Sequence, residues 1–448
     1  MDKRKYGALA FGAMLVASAC SSGGGASPAA SESAGGGASP AASESAAPAS
    51  KGTLKIGITL PISGGAAADG VPTLKGAQLA IDAANAAGGV GGYQIEMVPL
   101  DHAVNGKYNE SQGAADLQVF VATPEVVGVV GPYNSAVAKV QIPIGNQAGL
   151  LQCSPANTVE GLTKPEFGAL DYRKYFPEKI NYIRVAATDD IQGPAMATYA
   201  FDTLGLKKML VVDDVTTFGK GIADNFQKKF EELGGTVTDR VGADKDTVDF
   251  NDIITAAKTK NPDGVYYGGV VTSGAGLLLK QLRQQGLTIP FTGGDGIKNG
   301  SGKDKGALIQ IAGAEAAKNS FATLAAIGDF PARGQFEKDY AEHFKADAEF
   351  NTAGAYSGPG NACAVIILKS LEEFLKANPD ADPAAIREGV RAWATDTSHK
   401  FETVLGTETF DENGDTKQPY ISFYTVDPAL KDGLGDWVYK EQINFTKP

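Results

Sequence analysis

The chain has 448 residues, a formal charge of −12, three histidines and three cysteines, and that balance narrows what it can do. With no basic stripe to neutralise phosphates, nucleic acid is not an expected partner. No G-x-x-x-x-G-K-[ST] loop occurs, and His102, His343 and His399 sit in no strand-end loop beside a serine or cysteine and share no metal-ligand spacing. Neither enzyme chemistry, a cofactor nor a metal centre is therefore expected, and the histidines read as surface or satisfied polar groups.

In chain order, Asp2-Lys3-Arg4-Lys5, the apolar stretch Tyr6 to Val16 and the small residues Ala17-Ser18-Ala19 before Cys20 form an export signal over 1–19, too short to span a bilayer. The run ending at Cys20 resembles the lipobox of bacterial lipoproteins, with Ala17 where Leu is usual. That resemblance implies lipidation of Cys20 and a protein anchored outside the cytoplasmic membrane. The unit GGGASPAASESA then occurs twice, at 23–34 and 35–46. Gly, Ser, Ala and Pro bury too little to offset ordering entropy, so 20–52 reads as a disordered tether reaching about 30 Å. From Lys51 onward the chain is too long for one core, so two lobes are expected, and no second apolar run approaches about 20 residues.

The body opens with a β-rich run at 53–60 and a Pro-Ile-Ser-Gly-Gly turn at 61–65, then a helix with Pro72 near its first turn that ends at Gly88-Gly89. Strands follow at 93–100 and at Val126 to Val130, a short apolar run suited to burial on both faces. The alternation resumes with a strand at 208–212, a helix at 221–233, a strand at 264–267 and a helix at 274–285. Such βαβα order calls for parallel sheets covered by helices, with ligands beyond the carboxyl ends of the strands. The loops at 61–70, 131–135, 153–158, 213–219, 268–274 and 293–297 all follow predicted strands and are where function is expected. Cys153 and Cys363, far apart in apolar surroundings, read as buried free thiols in preference to a bridge.

Leu60-Pro-Ile-Ser-Gly64, Asn85-Ala-Ala-Gly-Gly-Val90, Gly131-Pro-Tyr-Asn-Ser135, Ser154-Pro-Ala156, Gln192-Gly-Pro194, Val265-Tyr-Tyr-Gly-Gly269, Gly294-Asp-Gly296 and Phe410-Asp-Glu-Asn-Gly-Asp415 come in an ordered series. Over 53–448 this series resembles the branched-chain amino acid (leucine/isoleucine/valine) binding proteins of bacterial ABC uptake systems, of the type I periplasmic-binding-protein fold. The resemblance implies an α/β protein of two doubly wound parallel-sheet lobes joined by three crossovers. One lobe would hold 53–188 and 321–403, the other 189–320 and 404–448. It implies a monomer whose lobes close on an amino acid, or on an amide or another small metabolite, and whose partner is a permease or a membrane receptor.

The resemblance also places a site. The hydroxyl of Ser135 and the amides of its helix start would hold the ligand carboxylate, with Ala156, Asn157 and Thr158 beside them. A helix N-terminus binds an anion without any basic residue, although a serine there also serves as a cap. Asp295, at the position of the family's acid, would face the ammonium from the other lobe, or be a solvated turn residue. Asp69, Phe218 and Val270 stand where relatives often carry aromatic residues, with Tyr133 beside Ser135, and point to a ligand larger or more polar than leucine. Asp69 either enters the cleft or caps the helix near Pro72. Asp189 and Asp190, at the first crossover, either contact ligand or satisfy hinge amides.

Overall fold

The computed structural model describes residues 51–445; the export signal, Cys20 and the repeated tether lie outside the described residues. Strand β1 (Thr53–Leu60) turns Leu54, Ile56, Ile58 and Leu60 into one core. On its other face Gly57 leaves room for Phe120, since a Cβ there would lie 2.9 Å from that ring. Helix α1 (Ala67–Ala86) begins five residues before Pro72, not at it, because a 3-10 turn at Gly64–Ala66 starts the coil early.

The first lobe continues through β2 (Gln94–Asp101), the hairpin β3 (Ala103–Val104) and β4 (Lys107–Tyr108), α2 (Glu110–Ala122), β5 (Val126–Val130), α3 (Ser135–Ala148), β6 (Gln152–Ser154) and β7 (Tyr182–Arg184). Its sheet is parallel in the order β2-β1-β5-β6-β7. All five residues of β5 are buried, because α2 and α3 cover one face and α1, α11 (Ser357–Ala377) and α12 (Pro383–Ala394) the other.

The second lobe runs from α4 (Asp189–Thr198) through β8 (Lys208–Asp213), α5 (Thr217–Glu232), β9 (Thr236–Gly242), α6 (Asn251–Lys260), β10 (Gly264–Gly268), α7 (Ala275–Gln284), β11 (Phe291–Gly293), α8 (Leu308–Ala312), α9 (Ala314–Ala317) and β12 (Ser320–Leu324). The chain returns to the first lobe for α10 (Arg333–His343), α11, α12, β13 (Phe401–Thr403) and β14 (Gly406–Glu408), then recrosses for β15 (Tyr420–Asp427) and β16 (Asp436–Asn444). The sheet order is β16-β15-β12-β11-β10-β8-β9. It is parallel except for β15 and β16, which form an antiparallel edge. Helix α5 starts four residues ahead of the predicted 221 because Thr216 Oγ1 accepts from the Gly219 amide at 3.0 Å, which puts Phe218 in the first turn.

Three expectations shift. The boundary at 320/321 moves past β12, which is hydrogen-bonded between β11 and β15. That at 403/404 moves past Leu405 and Phe410, which pack in the first lobe's core. Cys153 and Cys363 are not free thiols: they form a disulfide between β6 and α11 with Cα atoms 5.4 Å apart. A sequence separation of 210 hides that approach until the helix lies on the sheet. Where β7 leaves the first lobe, Arg184 is fully buried. Its Nε donates to Asp415 Oδ1 at 2.7 Å and its Nη1 to the Val159 carbonyl at 2.7 Å. The first and third crossovers are tied together by this pair.

Candidate functional site

The carboxyl ends of the strands in both lobes face one cleft, and all six strand-end loops contribute to its lining. The cleft encloses about 630 Å³ counting its open mouth, of which about 40 Å³ admits the centre of a water molecule. Widening that inner space by a water radius gives on the order of 180 Å³, the room of one small solute. Ser135, Tyr133, Ala156 and Thr158 line it from the first lobe, Asp295, Phe218 and Val270 from the second, with Asp69 from α1.

On the first wall, β5 is followed by Gly131, whose φ of +123° and approach to Thr59 O, 2.3 Å from where a Cβ would sit, admit only glycine. The next turn brings Asn134 to the N-cap of α3. Ser135 is therefore the first helical residue and not the cap, and the unpaired leading amides of α3 with their partial positive charge open on the cleft. Asn134 does not cap through its side chain, because its Oδ1 is engaged by His102 Nε2 at 3.1 Å. Thr59 Oγ1 meets His102 Nδ1 at 3.1 Å and also bonds Asp116 at 3.2 Å. Burial pushes the His102 imidazole down to about 4, against the Asn134 bond and the charge of Asp101.

The depressed value means that folding favours the neutral ring. Its contribution to stability is present above the ordinary 6.5 and is lost as pH falls toward 4. NMR titration of His102 should show a neutral imidazole at pH 5.5; a midpoint near 6.5 would contradict the buried network.

On the opposite wall Asp295 follows β11 and is 8% exposed. Its Oδ2 accepts from the Tyr356 hydroxyl of the first lobe at 2.5 Å, while Oδ1 is buried with no hydrogen-bond partner. Burial pushes this carboxyl up to about 6 against the pull of the Tyr356 bond. Asp69 makes no cap for α1, whose N-cap is Ala66; it lines the cleft instead. Burial and then the charge of Asp295 push it up to about 7, against Asn299 and Lys298. Phe218 lies against Gly296, where a Cβ would meet its ring at 2.7 Å.

Asn157 departs from expectation. It is fully buried, gives Nδ2 to the Tyr133 carbonyl at 2.6 Å and takes the Tyr182 hydroxyl on Oδ1 at 2.7 Å, so its amide is used inside the lobe and does not line the cleft. Asp189 satisfies no hinge amide through its carboxylate, which is fully buried beside Thr158 and the charge of Arg184; its backbone N–H donates to the Thr158 carbonyl at 2.8 Å. Asp190 pairs with Lys164 at 2.6 Å. Tyr108 and Thr272 also line the cleft, and Tyr356 reaches it through Asp295. Of these, only Tyr108 had a sequence signal, since Asn105-Gly106 before it is a hairpin turn pair. His343 pairs with Asp82 at the surface and His399 stacks on Trp393. Among the described residues no group of ligating side chains could hold a metal, and no helix is long and apolar enough to cross a membrane.

Residues 53–433 match the family model described as periplasmic binding protein. The Leu/Ile/Val-binding protein homolog 1 of Brucella melitensis is 31% identical over 369 residues, 82% of this chain and 89% of that one. A leucine-, isoleucine-, valine-, threonine- and alanine-binding protein of Pseudomonas aeruginosa is 30% identical over 83% of this chain and 89% of its own length. Among solved structures, a branched-chain amino acid transporter substrate-binding protein of Streptococcus pneumoniae in complex with isoleucine superposes with a TM-score of 0.69. It is 25% identical and covers 87% of this chain and 100% of its own. Two doubly wound lobes closing strand ends on one cleft, and a family match that spans both of them, place this chain in the periplasmic binding protein family.

Proposed function

We propose that this chain captures an amino acid between its lobes and delivers it to the permease of an ABC uptake system outside the cytoplasmic membrane, without catalysing a reaction. One observation carries the reading. The open N-terminus of α3 in the first lobe and the Asp295 carboxylate of the second line the same cleft, which is the charge pattern of a zwitterion. Relatives named for leucine, isoleucine and valine support the same class. The ligand carboxylate sits on the Ser135 and Ala136 amides and the Ser135 hydroxyl beside Thr158, and closure carries Asp295 onto the ammonium. The Tyr356 hydroxyl donates to one Asp295 oxygen and steadies the carboxylate. Differential affinity for the closed shape drives the motion.

Export, lipidation at Cys20 and a tether that lets the body swivel belong to the same proposal and rest on the sequence of the first fifty residues. Labelling with a radioactive fatty acid, with Cys20→Ala as control, tests the anchor.

Isothermal titration with the twenty common amino acids tests the site. Asp295→Ala should weaken the bound amino acid by about 2–5 kcal/mol, since its ammonium would stay buried without a partner. Unchanged affinity in that variant would remove Asp295 from the site.

A further inference from the structure

The charge lining the cleft exceeds what one zwitterion needs. Two carboxylates, Asp69 and Asp295, and no lysine, arginine or histidine line it. A zwitterion contributes one cation, and the position of Asp295 opposite the α3 amides assigns that cation to Asp295. Asp69, half-buried at the cleft wall, is then left without an ion-pair partner.

Its surroundings supply no paired cation. The charge of Lys298 acts on Asp69, yet its Nζ lies over the Tyr424 ring at 4.2 Å and forms no ion pair with Asp69 within 4.0 Å among the described residues. The other groups facing Asp69 are Asn299, Tyr133 and Asp295 itself, none of them cationic. Asp295, 8% exposed, has hydrogen-bond donors around it, Tyr356 foremost, but no cation paired with it. A buried carboxylate without a partner is costly, so ligand charge is the missing component.

We infer that Asp69 is a specificity-determining residue and that the preferred ligand is an amino acid with a second cationic group on its side chain, the α-ammonium meeting Asp295 and the side-chain cation meeting Asp69. This rests on the amino-acid reading above and narrows it. Burial and the charge of Asp295 raise the Asp69 carboxyl to about 7, so the ligand's cation and the ionised carboxylate stabilise each other, and binding of such a ligand strengthens as pH rises from 5.5 to 8.

The test is calorimetric titration of the full chain with L-lysine, L-ornithine and L-arginine against L-leucine, L-isoleucine, L-valine and L-threonine, at pH 5.5 and 8. At least one basic amino acid should bind tenfold or more tighter than every neutral one at pH 8 and lose affinity at pH 5.5. Asp69→Asn should weaken it tenfold or more and erase its lead over leucine, and Asp69→Glu, which keeps the charge, should restore part of the preference. A neutral amino acid binding tighter than all three basic ones overturns this inference and leaves the amino-acid reading intact. Silence from every amino acid overturns both. Because the wild-type comparison alone decides the preference, a poorly folded variant does not rescue the idea.

Discussion

Replacing Arg184 with methionine should destabilise the folded body by about 3–5 kcal/mol, the cost of breaking a buried ion pair from one side. Arg184 is fully buried and Asp415 is 6% exposed, so water cannot take over when the guanidinium is removed. Its Nη2 also donates to Thr163 Oγ1 at 2.5 Å, and that hydroxyl in turn donates to Asp415 Oδ2 at 3.0 Å. With the Val159 carbonyl and that of Asn157, which Nη1 meets at 3.3 Å, the change therefore takes the cation from a carboxylate and the donor from two carbonyls together. Urea denaturation of wild type and variant measures the loss. The double change Arg184→Met with Asp415→Leu should recover part of it, because an apolar pair leaves no buried charge. A single variant within about 1 kcal/mol of wild type would mean that the crossovers do not depend on this pair. The same pair lies where the lobes hinge, so a weakened variant should also show altered closing, read as a changed ligand-induced shift in small-angle scattering.

The disulfide carries the second large effect. Cys153 and Cys363 are each fully buried and close a loop of 210 residues. Restricting so long a loop in the unfolded chain gives about 5 kcal/mol by the chain-entropy relation, and native bridges usually deliver about 2–5 kcal/mol. The double variant Cys153→Ala with Cys363→Ala should thus unfold at clearly lower urea, with ligand affinity nearly unchanged, because the Cys153 carbonyl that accepts the Gly131 amide at 2.8 Å belongs to the backbone. Equal stability of the double variant and wild type would show that the bridge does not form.

Much of the cleft was legible in the chain because its parts are local. An apolar run such as Val126 to Val130 marks a strand buried on both faces, and the loop that follows such a strand must end at the sheet's carboxyl edge. That rule alone gathers Pro61, Tyr133, Ala156, Phe218, Val270 and Asp295 around one space. Helix starts were less legible. Those of α1 and α5 lie several residues ahead of their predicted positions, since a 3-10 turn and the Thr216 cap extend each helix beyond its apolar period. Asn157 shows the limit within a motif. It stands between two residues that line the cleft, yet the Tyr182 hydroxyl and the Tyr133 carbonyl engage its amide, and nothing in residues 154–158 announces either partner.

By itself the sequence determined the βα alternation of its clearest stretches, the two-lobed α/β class, the six loops and the residue types they offer, because periodicity, turn residues and strand ends are properties of short stretches. Only the tertiary structure decided which distant groups meet: Cys153 with Cys363, Arg184 with Asp415, Tyr356 with Asp295 across the cleft, and Asp69 in the lining and not at a cap. Such pairings depend on how helices lie on sheets and how one lobe faces the other. Contacts between residues tens or hundreds of positions apart leave no periodic trace in the chain, and their strength comes from the burial that folding itself creates.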